Sequence, residues 1–285
     1  MQPDRLAIFE RLRPRLVGIA YRMLQTNAEA EDVVQDAWIR LDATSDVHSV
    51  EGFLVRTVTR LCLDREKSAR ARREEYIGPW LPEPMEVRDP AIEHEETLSL
   101  AALHVIGTLR PVERAVFLLR EVFDYRYDEI GVIVDRTAAA CRQIARRARE
   151  RVQAQGLDSA VPAGEHAALL EAFLSAAQLG DLSELEKLLA ADAELIADGG
   201  GKVVAALKPI LGAGAVARFM AGIARKAWPG ISVVIEPVNG VPAAIVLERG
   251  APVALFSLHI QDGRIRRVLA LRNPDKLLAT SWRRP

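Results

Sequence analysis

The sequence predicts a multidomain chain: two all-α modules, the second carrying a helix-turn-helix, followed by an α+β domain. Three observations carry this. From Arg5 to Gln155 apolar residues recur at helical spacing with little strand patterning. That pattern is broken at Gly78-Pro79-Trp80-Leu81-Pro82-Glu83-Pro84, where three prolines within six positions remove backbone donors and favour extended geometry. After Gly230 come four apolar, β-branched runs, ISVVIEPV, PAAIVLE, PVALFSLHI and RIRRVLAL. Asn239-Gly240, Arg249-Gly250 and Asp262-Gly263 separate them, and such pairs are strong hairpin signals.

Composition bounds the rest. A chain of 285 residues with 49% apolar content has material for two or three buried cores. Its net charge of −1 argues against a protein that grips DNA unaided, because such affinity comes largely from phosphate neutralisation. Any DNA contact is therefore expected to be local, with another protein supplying most of the grip. Cys62 and Cys141 lie far apart, without metal-ligand spacing or a disulfide frame, which fits a reducing compartment. No metal or cofactor site is expected. No apolar run reaches membrane-span length, and MQPDRLAIFERLRPRL lacks a signal-peptide core, so the expected location is cytoplasmic.

The first module is placed at residues 1–78. Leu6, Phe9, Leu12, Leu16, Ile19, Ala20, Met23 and Leu24 share a helical face interrupted by Pro14, and Thr26-Asn27 offers a turn. In AEAEDVVQDAWIRL, Val33, Val34, Ala37, Trp38 and Leu41 form the inner face. Asp32, Gln35, Asp36 and Ile39 take the opposite side, which on its own reads as a solvated acidic face. A third helix, Glu51 to Arg73, turns Phe53, Leu54, Val58, Leu61 and Cys62 inward. It leaves Arg65, Lys67, Arg70, Arg72 and Arg73 available to phosphates. Residues 79–97 read as a linker, yet Trp80 and Leu81 are larger and more apolar than a tether needs, so this linker is expected to dock.

The second module spans 98–156. Leu100, Leu103, Ile106 and Leu109 form one face, and Pro111 suits the first turn of the next helix. Val112, Ala115, Val116, Leu118 and Leu119 continue its core. YDEIGVIV then forms a short helix, Asp135-Arg136 a tight turn, and Thr137 the N-cap of a helix to Arg151. Six arginines and one glutamate between Arg136 and Arg151 leave a local charge of +5. With Ala140, Ile144 and Ala148 as the apolar stripe, Arg142, Gln143, Arg146 and Arg147 point outward. Two short helices, the second basic and bearing Gln, are the sequence form of a helix-turn-helix DNA reader. After a second linker at 157–164, residues 165–285 are expected to fold as helices (Ala167–Leu179, Leu182–Leu189, Gly214–Ala227) on one face of a curved antiparallel sheet.

Taken together, these segments resemble extracytoplasmic-function sigma factors, the promoter-recognising subunits of bacterial RNA polymerase. AEDVVQDAWIRL is similar to the family's polymerase-binding helix, FLVRTVTRLCLDR to its promoter-melting helix, and Pro111 to Val152 to its minus-35 reader. WLPEP (80–84), DGGGK (198–202) and NPDKL (273–277) resemble signatures of the subgroup with a fused SnoaL-like C-terminal domain, a cone of the NTF2-like class. The resemblance implies core RNA polymerase and promoter DNA as partners, with no membrane. It turns Asp32, Gln35, Asp36 and Ile39 into candidates for docking on polymerase. It assigns Arg56, Arg60 and Arg65, with a lesser candidate in His48, to the minus-10 element, and Arg142, Gln143, Arg146 and Arg147 to the minus-35 element. An interdomain regulatory role falls on Trp80, Leu81, Pro82, Glu83 and Pro84, on Asp198, Gly199, Gly200, Gly201 and Lys202, and on Asn273, Pro274, Asp275, Lys276 and Leu277. The WLPEP segment is expected to pack against the other two motifs.

The same residues admit chemical alternatives. Asp198 and His259 are an acid and a base in type, but no pattern brings them together, and a structural His is the better reading. DGGGK lacks the spacing of a phosphate loop and reads as a glycine turn. Two other functions stay open at this level. One is a helix-turn-helix regulator that binds DNA alone. The other has a C-terminal domain that senses a small ligand or retains enzyme activity.

Overall fold

In the computed structural model, which describes residues 5–85, 98–156, 161–226 and 230–278, Arg5–Leu24 forms one continuous helix, α1. Pro14 lies inside it without ending it, contrary to the expected interruption. The helix keeps its course because Phe9, Leu16, Ile19, Ala20, Met23 and Leu24 bury a face on both sides of the proline, which outweighs one lost backbone bond. Gln25, with φ at 63°, ends it. Helix α2 (Asn27–Asp42) buries Ala30, Val33, Val34, Ala37 and Leu41, while Trp38 is half-buried against Phe9 at a ring separation of 4.8 Å. Arg5 ties α1 to the end of α2 through the carbonyls of Leu41, Thr44 and Ser45. Helix α3 (Val50–Glu74) crosses both, burying Leu54, Val55, Val58, Leu61 and Cys62.

Contacts divide the chain into two compact units. The first comprises residues 1–75 and 105–155. Here α1 to α3 pack with α5 (Pro111–Phe117), which runs on through a π-turn at Leu118–Val122, and with α6 (Tyr127–Val134) and α7 (Ala138–Gln153). Helix α4 (Leu100–Gly107) straddles the division after His104.

The second unit comprises residues 76–104 and 156–285. Helices α8 (Ala163–Leu179) and α9 (Leu182–Leu188) precede β1 (Leu189–Asp198) and β2 (Ile210–Leu211). Helix α10 (Ala213–Ala224) leads to β3 (Ile231–Val238), β4 (Val241–Glu248), β5 (Ala251–Gln261) and β6 (Arg264–Leu271), and α11 (Pro274–Leu278) follows. The sheet order is β2-β1-β6-β5-β4-β3. The expected meander β3 to β6 is there, its three turns each pairing two residues at positive φ: Asn239-Gly240, Arg249-Gly250 and Asp262-Gly263. The sequence reading missed β1, which pairs parallel with β6.

Both sheet faces are covered. Leu170, Phe173, Leu185, Val216 and Met220 from the helices meet Ala244, Phe256, Leu258 and Val268 on one face. On the other, Ile245, Leu247, Leu255, Leu269 and Leu271 pack with Leu81, Leu100, Ala101 and Leu277. The segment read as a linker thus supplies part of this unit's core. Among the described residues, no helix is long and apolar enough to cross a membrane.

Candidate nucleic-acid interface

Helix α7 is built to present one face. The turn before it places Asp135 in the left-handed region (φ 56°, ψ 57°), which Asp tolerates where glycine is usual. Gly131 on α6 is the tight point: a Cβ there would lie 2.6 Å from the Arg136 carbonyl oxygen. The Thr137 hydroxyl accepts from the Ala140 amide at 3.1 Å, the N-cap expected from the sequence. The buried stripe is Cys141, Ala145, Ala148 and Val152, so of the expected stripe Ala148 is buried while Ala140 and Ile144 are only half-buried, their places taken by Cys141 and Ala145. Arg142, Gln143, Arg146 and Arg147 remain exposed. Two other arginines of α7 are turned back onto the unit: Arg149 forks onto Glu121 (2.6 and 3.2 Å) and Arg151 reaches Glu113 (2.7 Å). The Tyr127 ring lies under the guanidinium groups of Arg120 (5.3 Å) and Arg142 (5.7 Å).

On α2, Asp32, Gln35 and Ile39 are exposed and Asp36 is half-buried. Arg65 on α3 joins the two acids, at 2.8 Å from Asp36 and 3.8 Å from Asp32, and donates to the Glu29 carbonyl at 3.3 Å. One residue assigned to the minus-10 element is therefore bound to two assigned to polymerase docking. Arg56 and His48 are exposed. Arg60 donates from Nε to the Ile133 carbonyl of α6 at 3.2 Å. The side chains of Lys67, Arg70, Arg72 and Arg73 lie outside the described residues. A groove of about 230 Å³ beside Gln35 is lined by Phe9, Arg13, Glu31, Gln35 and Trp38.

The three motifs meet at a buried carboxylate. Asp198, at the end of β1, accepts from Tyr76 Oη (2.5 Å) and Gly200 N (3.1 Å) on Oδ1, and from Leu81 N (2.9 Å) and Lys276 Nζ (2.7 Å) on Oδ2. Lys276 also donates to the Leu81 carbonyl at 2.6 Å and sits 3.3 Å from the centre of the Trp80 ring. Asn273 donates to Tyr76 Oη at 2.7 Å. Pro82, Pro84 and Leu277 are buried, Glu83 and Pro274 half-buried, and Asp275 is exposed in an ion pair with Lys202. Gly199 is tight against backbone, where a Cβ would lie 2.6 Å from Val203 O, and Gly200 and Gly201 sit at φ 62° and 69°, a region that disfavours larger residues.

Two members of this cluster escaped the sequence reading. Tyr76 precedes the motif, and burial together with the Asp198 hydrogen bond pushes its phenol well above the usual range. Asn239, read only as a turn residue, exchanges hydrogen bonds with Met85 (Met85 N to Oδ1 at 2.9 Å, Asn239 N to Met85 O at 3.2 Å). His259 does not join Asp198. Its Nε2 meets the Gly156 carbonyl at 3.0 Å, and it pairs across the sheet with Arg267 and thence Glu194, four residues before Asp198. That is a separation of roughly 13 Å along the strand.

Comparison with known proteins bears on the whole length. Residues 8–73 match the family model for Sigma-70 region 2, and residues 99–152 that for Sigma-70 region 4. The ECF RNA polymerase sigma factor SigJ of Mycobacterium tuberculosis is 34% identical across 94% of this chain and 91% of its own. The chain belongs to the extracytoplasmic-function sigma factor family. A probable sigma factor of the same organism, SigI, is 32% identical over 93% of this sigma factor and 92% of its own length. The crystal structure of the M. tuberculosis SigJ superposes with a TM-score of 0.78 at 29% identity, covering 98% of this chain and all of that one. That match spans the helical part and the mixed-sheet part alike, so the fold class expected from the sequence holds for this sigma factor.

Proposed function

We propose that this sigma factor directs RNA polymerase to promoters through two contacts, under control of its own C-terminal unit. The membership of the family and the region 2 and region 4 matches support promoter-directed initiation. In this reading Arg142, Gln143, Arg146 and Arg147 read the minus-35 element, for α7 enters a major groove only by an exposed face, and arginine and glutamine pair bidentately with guanine and adenine. Arg56, Arg60 and Arg65 serve the minus-10 element, and Asp32, Gln35, Asp36 and Ile39 dock on polymerase. The work is done in the cytoplasm, where polymerase acts on DNA.

The observation that carries the control by the C-terminal unit is the Asp198 cluster. Trp80 and Leu81 lie in the segment joining the two promoter-binding modules, and that segment is fastened to DGGGK and NPDKL through Asp198 and Lys276. The placing of the modules on DNA is then coupled to the state of the C-terminal unit. Catalysis has no part in this reading. Both oxygens of Asp198 are engaged by structural donors, and His259 is held on a backbone carbonyl.

Transcription reconstituted with core polymerase tests it, on a promoter selected from a random library with the wild-type protein. Arg142→Ala and Arg146→Ala should weaken promoter use, and Trp80→Ala and Asp198→Asn should change its level or spacing preference. Unchanged transcripts from both Trp80→Ala and Asp198→Asn would refute control through this cluster.

A further inference from the structure

Several arginines of the first unit are committed to an acid. Arg114 on α5 is buried with Glu66 of α3 at 2.8 Å, Arg149 forks onto Glu121, and Arg151 reaches Glu113. On the outward face of α7, Arg146 lies 3.5 Å from Glu150, and Arg147 turns its Nε back to the Gln143 carbonyl at 3.4 Å. Arg142 differs. Among the described residues its partner is neither an acid nor a carbonyl but the Tyr127 ring, with 5.7 Å from guanidinium to ring centre.

Tyr127 opens α6 and is half-buried, and its ring is a fixed platform. Arg120 stands 5.3 Å from the ring centre and is itself pinned by the Asp124 carboxylate at 2.9 Å and the Tyr125 carbonyl at 3.1 Å. The Tyr127 hydroxyl is a second hydrogen-bond partner of Arg149, after Glu121. The backbone below is set by Glu129, which accepts from the Arg126 amide at 2.8 Å. The left-handed turn at Asp135 then folds α7 back so that Arg142 meets this ring.

Orientation matters more to a base reader than to a phosphate clamp. An arginine that recognises guanine presents two N–H groups at once to O6 and N7, so its plane must match the base. On a free stem the guanidinium samples many rotamers, whereas on an aromatic face it is held in few. Arg142 also stands in the N-terminal half of α7, the end of a recognition helix that reaches base edges.

We propose that Tyr127 is a positioning residue for base recognition. Its ring holds Arg142 in the orientation that pairs with a guanine of the minus-35 element. Preference at one base pair thus depends on a residue of α6 that does not itself touch the base. The proposal rests on the sigma-factor reading above and names the base that Arg142 takes.

The test uses the full chain with core polymerase, on promoters carrying each base in turn across the minus-35 element. Wild type should prefer a G·C pair at the position that Arg142→Ala relaxes. Tyr127→Leu removes the ring and should relax that position alone by roughly three-fold, the weight of an exposed cation–π contact, with salt dependence unchanged. Added to Arg142→Ala it should do nothing further, because two changes to one interaction are not additive. Tyr127→Phe keeps the ring, loses the hydroxyl bond to Arg149, and should retain the wild-type preference. NMR relaxation of the Arg142 Nε–H group in the free chain should show restricted motion in wild type and Tyr127→Phe and free motion in Tyr127→Leu. Equal losses at every position, a smaller salt slope for Tyr127→Phe, or a full effect of Tyr127→Leu without Arg142 would mean that Tyr127 supports the fold or meets phosphate, and overturns the proposal. Wild type without base preference at any position sinks the sigma reading itself. A preference that survives Tyr127→Leu sinks only the positioning role.

Discussion

Asp198 and Asp275 both face a lysine, and burial separates their worth. The Asp198–Lys276 pair has side-chain exposures of 0% and 3%, so removing one partner leaves a buried charge without compensation. Asp198→Ala should cost about 3–5 kcal/mol of the second unit's stability in urea unfolding. Asp275 pairs with Lys202 in the open, at 62% and 53% exposure, and Asp275→Ala should stay within about 1 kcal/mol. His104 supplies a pH-dependent counterpart. Burial, and then the positive charge of Arg267, push it down to about 4, and burial lowers His166 and His259 in the same direction. A histidine with a depressed pKa in the folded state favours the neutral ring. Its contribution is therefore complete above the unfolded value near 6.5 and is lost as pH falls towards 4. Between pH 7 and pH 5 the second unit should lose about 2 kcal/mol to His104 alone, and His104→Gln should abolish that share in denaturant midpoints.

At the scale of elements, α7 was legible because its information is local. A threonine cap, an alanine-rich start and a dense run of arginines need no partner to be recognised. Its exposed face was read correctly even though Ala140 and Ile144 of the expected stripe are only half-buried, since Arg142, Gln143, Arg146 and Arg147 lie clear of the buried Cys141, Ala145 and Ala148. Substituting Arg142 or Arg146 by Ala should reduce the salt dependence of promoter binding by about one unit of slope if the side chain meets phosphate. If it meets a guanine edge instead, discrimination at one base pair should relax by about 1–3 kcal/mol. Thr137→Ala should loosen the same helix by about 1 kcal/mol. Strand β1 was hidden for the opposite reason. LAADAELIAD is rich in residues that favour helix, and its strand character comes from parallel pairing with β6, whose partner residues lie some seventy positions away. Tyr76, Asn239 and Glu66 were missed on the same principle. Each looks ordinary beside its neighbours in sequence, and its role is set by a contact more than forty positions distant.

For the molecule as a whole, the two compact units are interleaved along the chain. The path runs from the first unit into the second after Glu75, back after His104, and into the second again after Gln155. The motifs were legible through resemblance, but periodicity could not reveal that a segment with linker composition serves as core for a sheet made much later. That interleaving imposes an order on synthesis. Everything in the first unit has left the ribosome once Gln155 has emerged, whereas Leu81 must wait for β4, β5 and β6, and Asp198 for Lys276. At bacterial elongation rates the intervening stretch of about 120 residues takes roughly 6 to 24 s. Throughout that interval the newborn chain can hold a closed promoter-reading unit whose joining segment is not yet fastened. Ribosome-bound chains stalled after residue 200 should accordingly be cut by protease near Leu81 while Glu66 and Arg114 stay protected, and the 285-residue chain stalled on an added C-terminal linker that clears the exit tunnel should resist at both places. Lys276 thus closes the Asp198 cluster only when almost the whole second unit has been made.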